Sequence, residues 1–476
     1  MCDWEWESFD SFTNSGVFKF SDPGPLHAPI NKFTIKRDAD LELILETVSG
    51  QDAKSNAISH PPGTVRTNTD TATLLSVVGT TTVTLTGVQP RGHIRSISHN
   101  PKLGEFQEKS SIHELTGHTQ NKNEPKYVID WLANVKGCFH WPDITDDAIV
   151  TTKTLTVGSG ENAPTLTHTG KKCGGSRNCV KLNVEGNEIF LCTSDPQSAK
   201  EIKKPGFILY VGTPTEEFRE KVRICLSFSL GVYLVHLGHS IFCKDWHLVS
   251  FKAISAYALD GRAFEIPPTP PAPLGMKYEW EIDRAMLSRM VNSICTHYDA
   301  LNFRSLNWAF WDAVCATPHI AAVHYGAAVE ALQRAYVKYN PATYQTTLLC
   351  HGHWSILKHA ADRAVAAMPI SNQTKKVLQN KISGLNSKPP SVLLDELLSN
   401  LDLTLSELEQ AAWQHRHAAG HGNYAKPEES TRLIRETKLL RLRFNRMVLA
   451  ITKASDTYYD YYTLDRPIRK LRDSIP

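Results

Sequence analysis

The sequence predicts an α+β multidomain chain, with a β-rich, sandwich-like domain over 1–265, a linker over 266–275 and an all-α helical bundle over 276–476. Three observations predict it. At 476 residues the chain exceeds what one ordinary hydrophobic core organises. The stretch Ile266-Pro-Pro-Thr-Pro-Pro-Ala-Pro273 favours extended geometry and cannot continue a helix or a central strand. Across that stretch the pattern changes, from β-branched runs broken by Gly and Pro to apolar residues recurring at helical spacing.

In the first part, Leu41 to Val48, Ala72 to Val78 and Thr82 to Val88 read as strands, because β-branched and apolar residues suit a pleated, half-buried surface. Leu182 to Leu191 reads as a hairpin whose apolar residues alternate on either side of a Gly186-Asn187 turn. Phe207 to Val211 and Trp246 to Ala258 add further strands, and the longest insertion is expected as a loop from Pro90 to Asn123. Ile224 to Leu237 is too short to span a bilayer and reads as two buried strands, or a strand and a short helix.

Composition narrows the function classes. With 41% hydrophobic and 21% charged residues, the chain is an ordinary globular one. The formal charge of +3 neither demands nor excludes a nucleic-acid partner, so any basic surface must be local. Met1 is followed by Asp3, Glu5 and Glu7, unlike a secretory signal, and no apolar run is long enough for a membrane span. A cytoplasmic protein with no membrane partner is therefore expected, with its ten cysteines reduced rather than bridged. Cys173, Cys179 and Cys192, with Cys138 or His140, could form a zinc site, but gaps of five and twelve residues match no standard knuckle. Buried thiols are the simpler reading, so no metal and no cofactor is expected. Cys350-His-Gly-His353 is a second cluster without a carboxylate arranged nearby. A phosphate-cradling loop ending in Lys-Ser/Thr and a Gly-x-Ser-x-Gly elbow are both missing, against ATPase and esterase readings.

After Gly275 helices are expected at about Glu279 to Asp299, Ala309 to Cys315, Ile320 to Tyr339, Leu348 to Met368, Asn372 to Ser383, Val392 to Leu401, Leu405 to His421 and Glu428 to Lys453. In the last, Leu433, Leu440, Phe444, Met447 and Ile451 form one apolar face. An antiparallel bundle follows.

The chemistry is concentrated between Thr404 and Gly422. Thr404 and Glu407 have the spacing of a capping box, Leu405, Leu408 and Ala412 a buried stripe, and Gly420 and Gly422 suit a helix stop. That end carries Trp413-Gln-His-Arg-His-Ala-Ala-Gly-His421-Gly422. On an ideal helix Arg416 and His421 would point about 140° apart. They converge on one phosphate only if the helix breaks near Gly420 or if two chains pair with their motifs facing. An imidazole suits proton transfer at neutral pH, and a guanidinium suits phosphoryl oxygens. The competing reading makes Arg416 a salt-bridged residue and His421 a cap on its helix's negative end.

At this point the chain resembles the HEPN superfamily, whose motif is Arg, a polar residue, three to five variable residues and then His. Arg416, His417, Ala418-Ala419-Gly420 and His421 fit it, followed by Gly422. The layout is similar to ApeA-like antiphage HEPN proteins, to whose N-terminal domains Ser227-Phe-Ser-Leu-Gly231 bears a local likeness. The resemblance covers about Glu279 to Lys453. It implies a metal-independent endoribonuclease cutting cellular RNA, often tRNA, in abortive infection. A homodimer, a phage-derived trigger and a sensing N-terminal domain go with it. Arg416 and His421 would be catalytic and His417 supporting, while Glu330 would orient the arginine. The alternative is a non-catalytic helical module that recognises a protein or viral component.

Two structural alternatives stand beside that assignment. Arg334 follows Glu330 by four residues, the favourable order for an exposed helix salt bridge. Arg432, Arg435, Arg443 and Arg446 fall within about 80° of one another on the final helix and could track an RNA backbone, or form a solvated face.

Overall fold

The computed structural model describes residues 16–55, 61, 63–64, 70–77, 81–96, 105–119, 123–135, 139–156, 165–194, 205–275, 281–420 and 429–476. The chain divides into two compact units, one of Met1–Thr269 with Leu274–Val291, the other of Pro270–Pro273 with Asn292–Pro476. The first is β-rich and the second helical, the α+β layout expected. The boundary is displaced: 274–291 belongs with the strands, because Ile282 N–H donates to His140 O and Arg284 pairs with Asp143.

In the first unit an antiparallel sheet of eleven strands runs in the order β1(Phe18–Asp22), β4(Thr71–Ser76), β5(Thr81–Thr86), β8(Glu114–Thr119), β15(Leu248–Ile254), β14(His236–Cys243), β9(Pro125–Leu132), β13(Gly206–Val211), β12(Asn187–Thr193), β11(Thr165–Val184) and β10(Asp143–Thr156). A second sheet has the order β2(His27–Arg37), β3(Leu43–Ser55), β7(Glu105–Ile112), β6(Gln89–Ser96). Leu43 and Leu45 of the small sheet share one buried cluster with Leu74, Val83, Leu85, Leu115 and Phe251 of the large one. Two sheets with alternating inward residues make the expected sandwich.

Two local expectations change, and of the two readings of 224–237 the helix-and-strand one is selected. The loop expected over Pro90 to Asn123 holds β6, β7 and β8. The hairpin turn is Glu185-Gly186, both at positive φ (48° and 82°), so that Val184 faces Asn187. Residues 224–237 span the end of a helix and the start of β14. The helix, α1(Glu216–Leu230), is capped by Thr215, which accepts from Phe218 N, and is stopped by Gly231 at φ 61°.

α1 packs its buried face through charge as well as through Val222, Leu226 and Phe228. Asp130 on β9 is fully buried and pairs with both Arg219 and Arg223, while Tyr210 Oη donates to it at 3.3 Å. Burial alone would raise this carboxyl, but the guanidiniums, Arg223 foremost, lower it to about 2. Burial and then the arginine charges push the neighbouring imidazoles the other way from easy protonation: His236 is lowered well below its ordinary value and His239 to about 4.

The second unit contains α3(Phe303–Cys315), α4(Pro318–Tyr339), α5(His351–Ala367), α6(Asn372–Gly384), α7(Pro390–Asn400), α8(Glu407–Gly420) and α9(Ser430–Thr452), with α2(Arg284–His297) entering it from the first. A ribbon of β16(Thr457–Tyr459) and β17(Ile468–Lys470) closes it. α9 is its axis. From Leu439 to Leu449 every residue is buried except Arg441, which is half-buried, and Phe444 stacks on Phe310 at 5.3 Å. No helix among the described residues is long and apolar enough to cross a membrane.

Candidate functional site

The start of α8 is set by a reciprocal cap two residues later than expected. Ser406 N–H donates to Glu409 Oε2 at 2.9 Å, and Glu409 N–H donates to Ser406 Oγ at 3.4 Å. The register follows from Glu409, which is 1% exposed and accepts from Arg446 Nη1 at 2.6 Å. Arg446 also donates to Thr404 O and Leu471 O. Facing inward, then, are Glu409 and Ala412, whereas Leu408, expected to be buried, is exposed.

This register directs Arg416 toward α4. Its Nη2 donates to Glu330 Oε1 at 2.8 Å, its Nη1 donates to Trp413 O, and its Cζ lies 3.3 Å from the Trp413 ring centre. Glu330 thus binds Arg416 from another helix, 86 residues away in sequence. Gly326, one turn before Glu330, provides the space. A Cβ there would stand 2.8 Å from Arg416 Cδ and 3.1 Å from its Nε.

A second guanidinium meets the same indole. Arg443 Cζ lies 4.3 Å from the Trp413 ring centre. Arg443 is 3% exposed, its Nε has no hydrogen-bond partner, and no carboxylate among the described residues pairs with it. Burial lowers it to about 10 against the opposing Glu409 carboxylate, with Arg416 acting in the same direction as burial, and it stays protonated at neutral pH. Two cations and one indole therefore meet where α4, α8 and α9 approach, with Glu330 paired to Arg416 and with Glu409 and Asp395 acting on Arg443 without an ion pair.

The four-arginine stripe is corrected by these positions. Arg443 and Arg446 are buried, because α9 is covered on all sides from Leu439 onward, and only Arg432 and Arg435 face solvent. Arg432 is tied to Glu429 at 2.9 Å and Glu436 at 3.6 Å. His415, which sequence reasoning passed over, places Nδ1 2.7 Å from Glu436 Oε1 with its side chain 48% exposed. A pairing across 21 residues leaves no local signal. His421 lies outside the described residues, and His417 lies on α8 at a position whose side chain is likewise outside them.

The cysteine cluster separates. Cys179 and Cys192 face each other across β11 and β12, both buried. Cys173, on the same strand, is six residues from Cys179 and so about 20 Å away at an extended rise. Those two cannot share an ion, and Cys138 is outside the described residues. No group of three or more His, Cys, Asp or Glu among the described residues is arranged to hold a metal.

No protein-family model, no curated protein and no solved structure matches this chain.

Proposed function

We propose that the helical unit is an endoribonuclease of HEPN type, acting on RNA without a metal, with Arg416 and His421 as its catalytic pair. The observation that supports this best is the Arg416–Glu330 pair. A carboxylate on α4 and the Trp413 ring hold one guanidinium at the C-terminal end of α8, five residues before the motif histidine. That is the role expected of an arginine that must meet a crowded phosphorane in one orientation. Arg443, charged and with no ion-paired carboxylate among the described residues, adds a second cation beside Arg416.

In the proposed reaction the 2′-oxygen attacks the adjacent phosphorus and the 5′-oxygen leaves, giving a 2′,3′-cyclic phosphate. One imidazole takes the 2′-hydroxyl proton and a second, protonated, delivers one to the leaving oxygen. Two copies of His421 in a homodimer would supply both, His417 giving support; Arg416 would neutralise charge on the phosphoryl oxygens. The β-rich unit is assigned the sensing of a phage-derived trigger, and cellular RNA such as tRNA is the substrate of a cytoplasmic defence that aborts infection.

The test is cleavage of total RNA in EDTA by the full chain and by Arg416→Ala and His421→Ala. Loss of cutting in both variants at unchanged melting temperature is expected. Equal cutting by all three proteins would end the proposal. A second reading, a non-catalytic binding module, is favoured by one observation: the Arg416 side chain is only 10% exposed and already paired. It predicts no cutting by the wild type at any concentration.

A further inference from the structure

A feature of the helical unit that this function leaves unused is a cavity of about 720 Å³ beside α4. Its lining includes Arg334 and Lys338 from α4, Tyr344, Thr346 and Thr347 from the following segment, and Cys350 at the start of α5. Among the described residues, no carboxylate lines it.

Charge placement here follows from the candidate site. By spacing alone Glu330 would pair with Arg334, four residues on. Arg416 takes that carboxylate instead, at 2.8 Å, and neither Arg334 nor Lys338 forms an ion pair among the described residues. Glu330, Arg334 and Lys338 drift by only about 40° per step around α4 and rise about 6 Å per step along it. The two unpaired cations therefore continue the same helix face away from Arg416.

An independent observation points to a ligand. Tyr344 is 4% exposed as a residue and lines the cavity, and its hydroxyl, without a hydrogen bond among the described residues, stays accessible there. An accessible hydroxyl on an otherwise buried ring can donate to a ligand without first giving up a protein partner. The wall is also preformed. Lys388 N–H donates to Thr346 O at 2.8 Å, Leu349 N–H to Asn386 Oδ1 at 2.7 Å, and Gln333 Nε2 to Pro390 O at 2.7 Å. Cys350 is the N-cap residue of the 17-residue α5 and makes no side-chain cap bond, so uncapped N–H groups reach the same rim.

We propose that this cavity binds a phosphorylated nucleotide unit, with Arg334 and Lys338 on its phosphate and Tyr344 donating a hydrogen bond to it. The volume suits one nucleotide. Where the ribonuclease reading holds, and the inference rests on it for this point alone, the unit belongs to the RNA strand beside the bond that Arg416 addresses. A free nucleotide would present the same chemistry.

The experiment measures binding of the full chain to a 2′-O-methylated RNA decamer, which lacks the attacking hydroxyl, and to ATP. Each is repeated with Arg334→Glu/Lys338→Glu and with Tyr344→Phe, folding being checked by melting temperature. For the decamer a Kd at least tenfold weaker is expected in the charge reversal. Its salt slope should fall by about 1.4, two contacts at about 0.7 each. Tyr344→Phe should weaken binding about fivefold, one hydrogen bond. Pocket-dependent ATP binding without decamer binding would support the cavity and identify the free nucleotide as its source. Both probes binding the folded variants within twofold of wild type, or neither binding wild type at millimolar concentration, would overturn it. Unmodified RNA separates the two proposals. Pocket-dependent binding with no cleavage retains the cavity and removes the nuclease; Arg416-dependent cleavage with charge-insensitive binding does the reverse.

Discussion

Gly326→Ala separates chemistry from stability at the candidate site. The added Cβ would stand 2.8 Å from Arg416 Cδ, closer than carbon atoms tolerate, so the arginine must retreat by about 1 Å to regain ordinary contact. Retreat loosens its 2.8 Å bond to Glu330. On the stability side the terms oppose each other. Replacing Gly in a helix interior by Ala contributes about 0.8–1.0 kcal/mol. Loss of a partly exposed ion pair, with Glu330 34% exposed, costs about 0.2–1 kcal/mol. The net is close to zero, and a melting temperature within about 3 °C of wild type is expected. Catalysis is far less forgiving, since a misplacement of about 1 Å can cost about a hundredfold in rate. The assay is initial-rate RNA cleavage beside a thermal melt. Full activity in a normally folded Gly326→Ala protein would refute the argument that Arg416 acts from its observed position. A fall in melting temperature beyond about 5 °C would refute the opposing-terms estimate.

Two further predictions concern buried charge. Glu409→Ala leaves Arg446, 1% exposed, without its carboxylate and removes the acceptor of the Ser406 cap; a loss of about 3–5 kcal/mol is expected, read by urea unfolding, and a loss under 1 kcal/mol would show the pair to be dispensable. In the β-rich unit His239 is lowered to about 4 from 6.5. The unfolded chain therefore binds the proton the fold refuses, so stability is complete above pH 6.5 and falls as pH drops toward 4. Between pH 7.5 and 5 the linkage amounts to about 2 kcal/mol, with His236 acting in the same direction. Faster hydrogen exchange across Glu216–Leu230 at pH 5, after correction for intrinsic rates, is expected, and equal protection would contradict it.

Much of the helical unit was legible because its signals are local. α4, α6 and α9 begin and end within two residues of the expected bounds: α4 and α9 bury apolar stripes, while α6, which buries no residue, is marked by its Ser371 cap. The β-rich unit was read less completely. β7 hides in a polar run, Glu105-Phe-Gln-Glu-Lys-Ser-Ser-Ile112, whose inward residues include Glu108 and Ser110. Glu108 can be buried because His27 Nδ1, 3.1 Å from its carboxylate, comes from 81 residues away, and no alternation of apolar residues reports that.

Sequence by itself determined most helices of the second unit, the change of pattern at the proline-rich stretch, and that Arg416 lies near the end of a late helix. Those features depend on residues a few positions apart, and periodicity, proline and glycine express them directly. Tertiary structure alone decided the charge partners: Glu330 with Arg416 rather than Arg334, Glu409 with Arg446, and Asp130 with two arginines of α1. Which carboxylate a guanidinium meets depends on how separate helices and strands pack and on which charges lose their water. That choice is made between segments distant in sequence, and among the described residues it left Arg443 buried with no ion-paired acid and Arg334 and Lys338 unpaired beside a cavity.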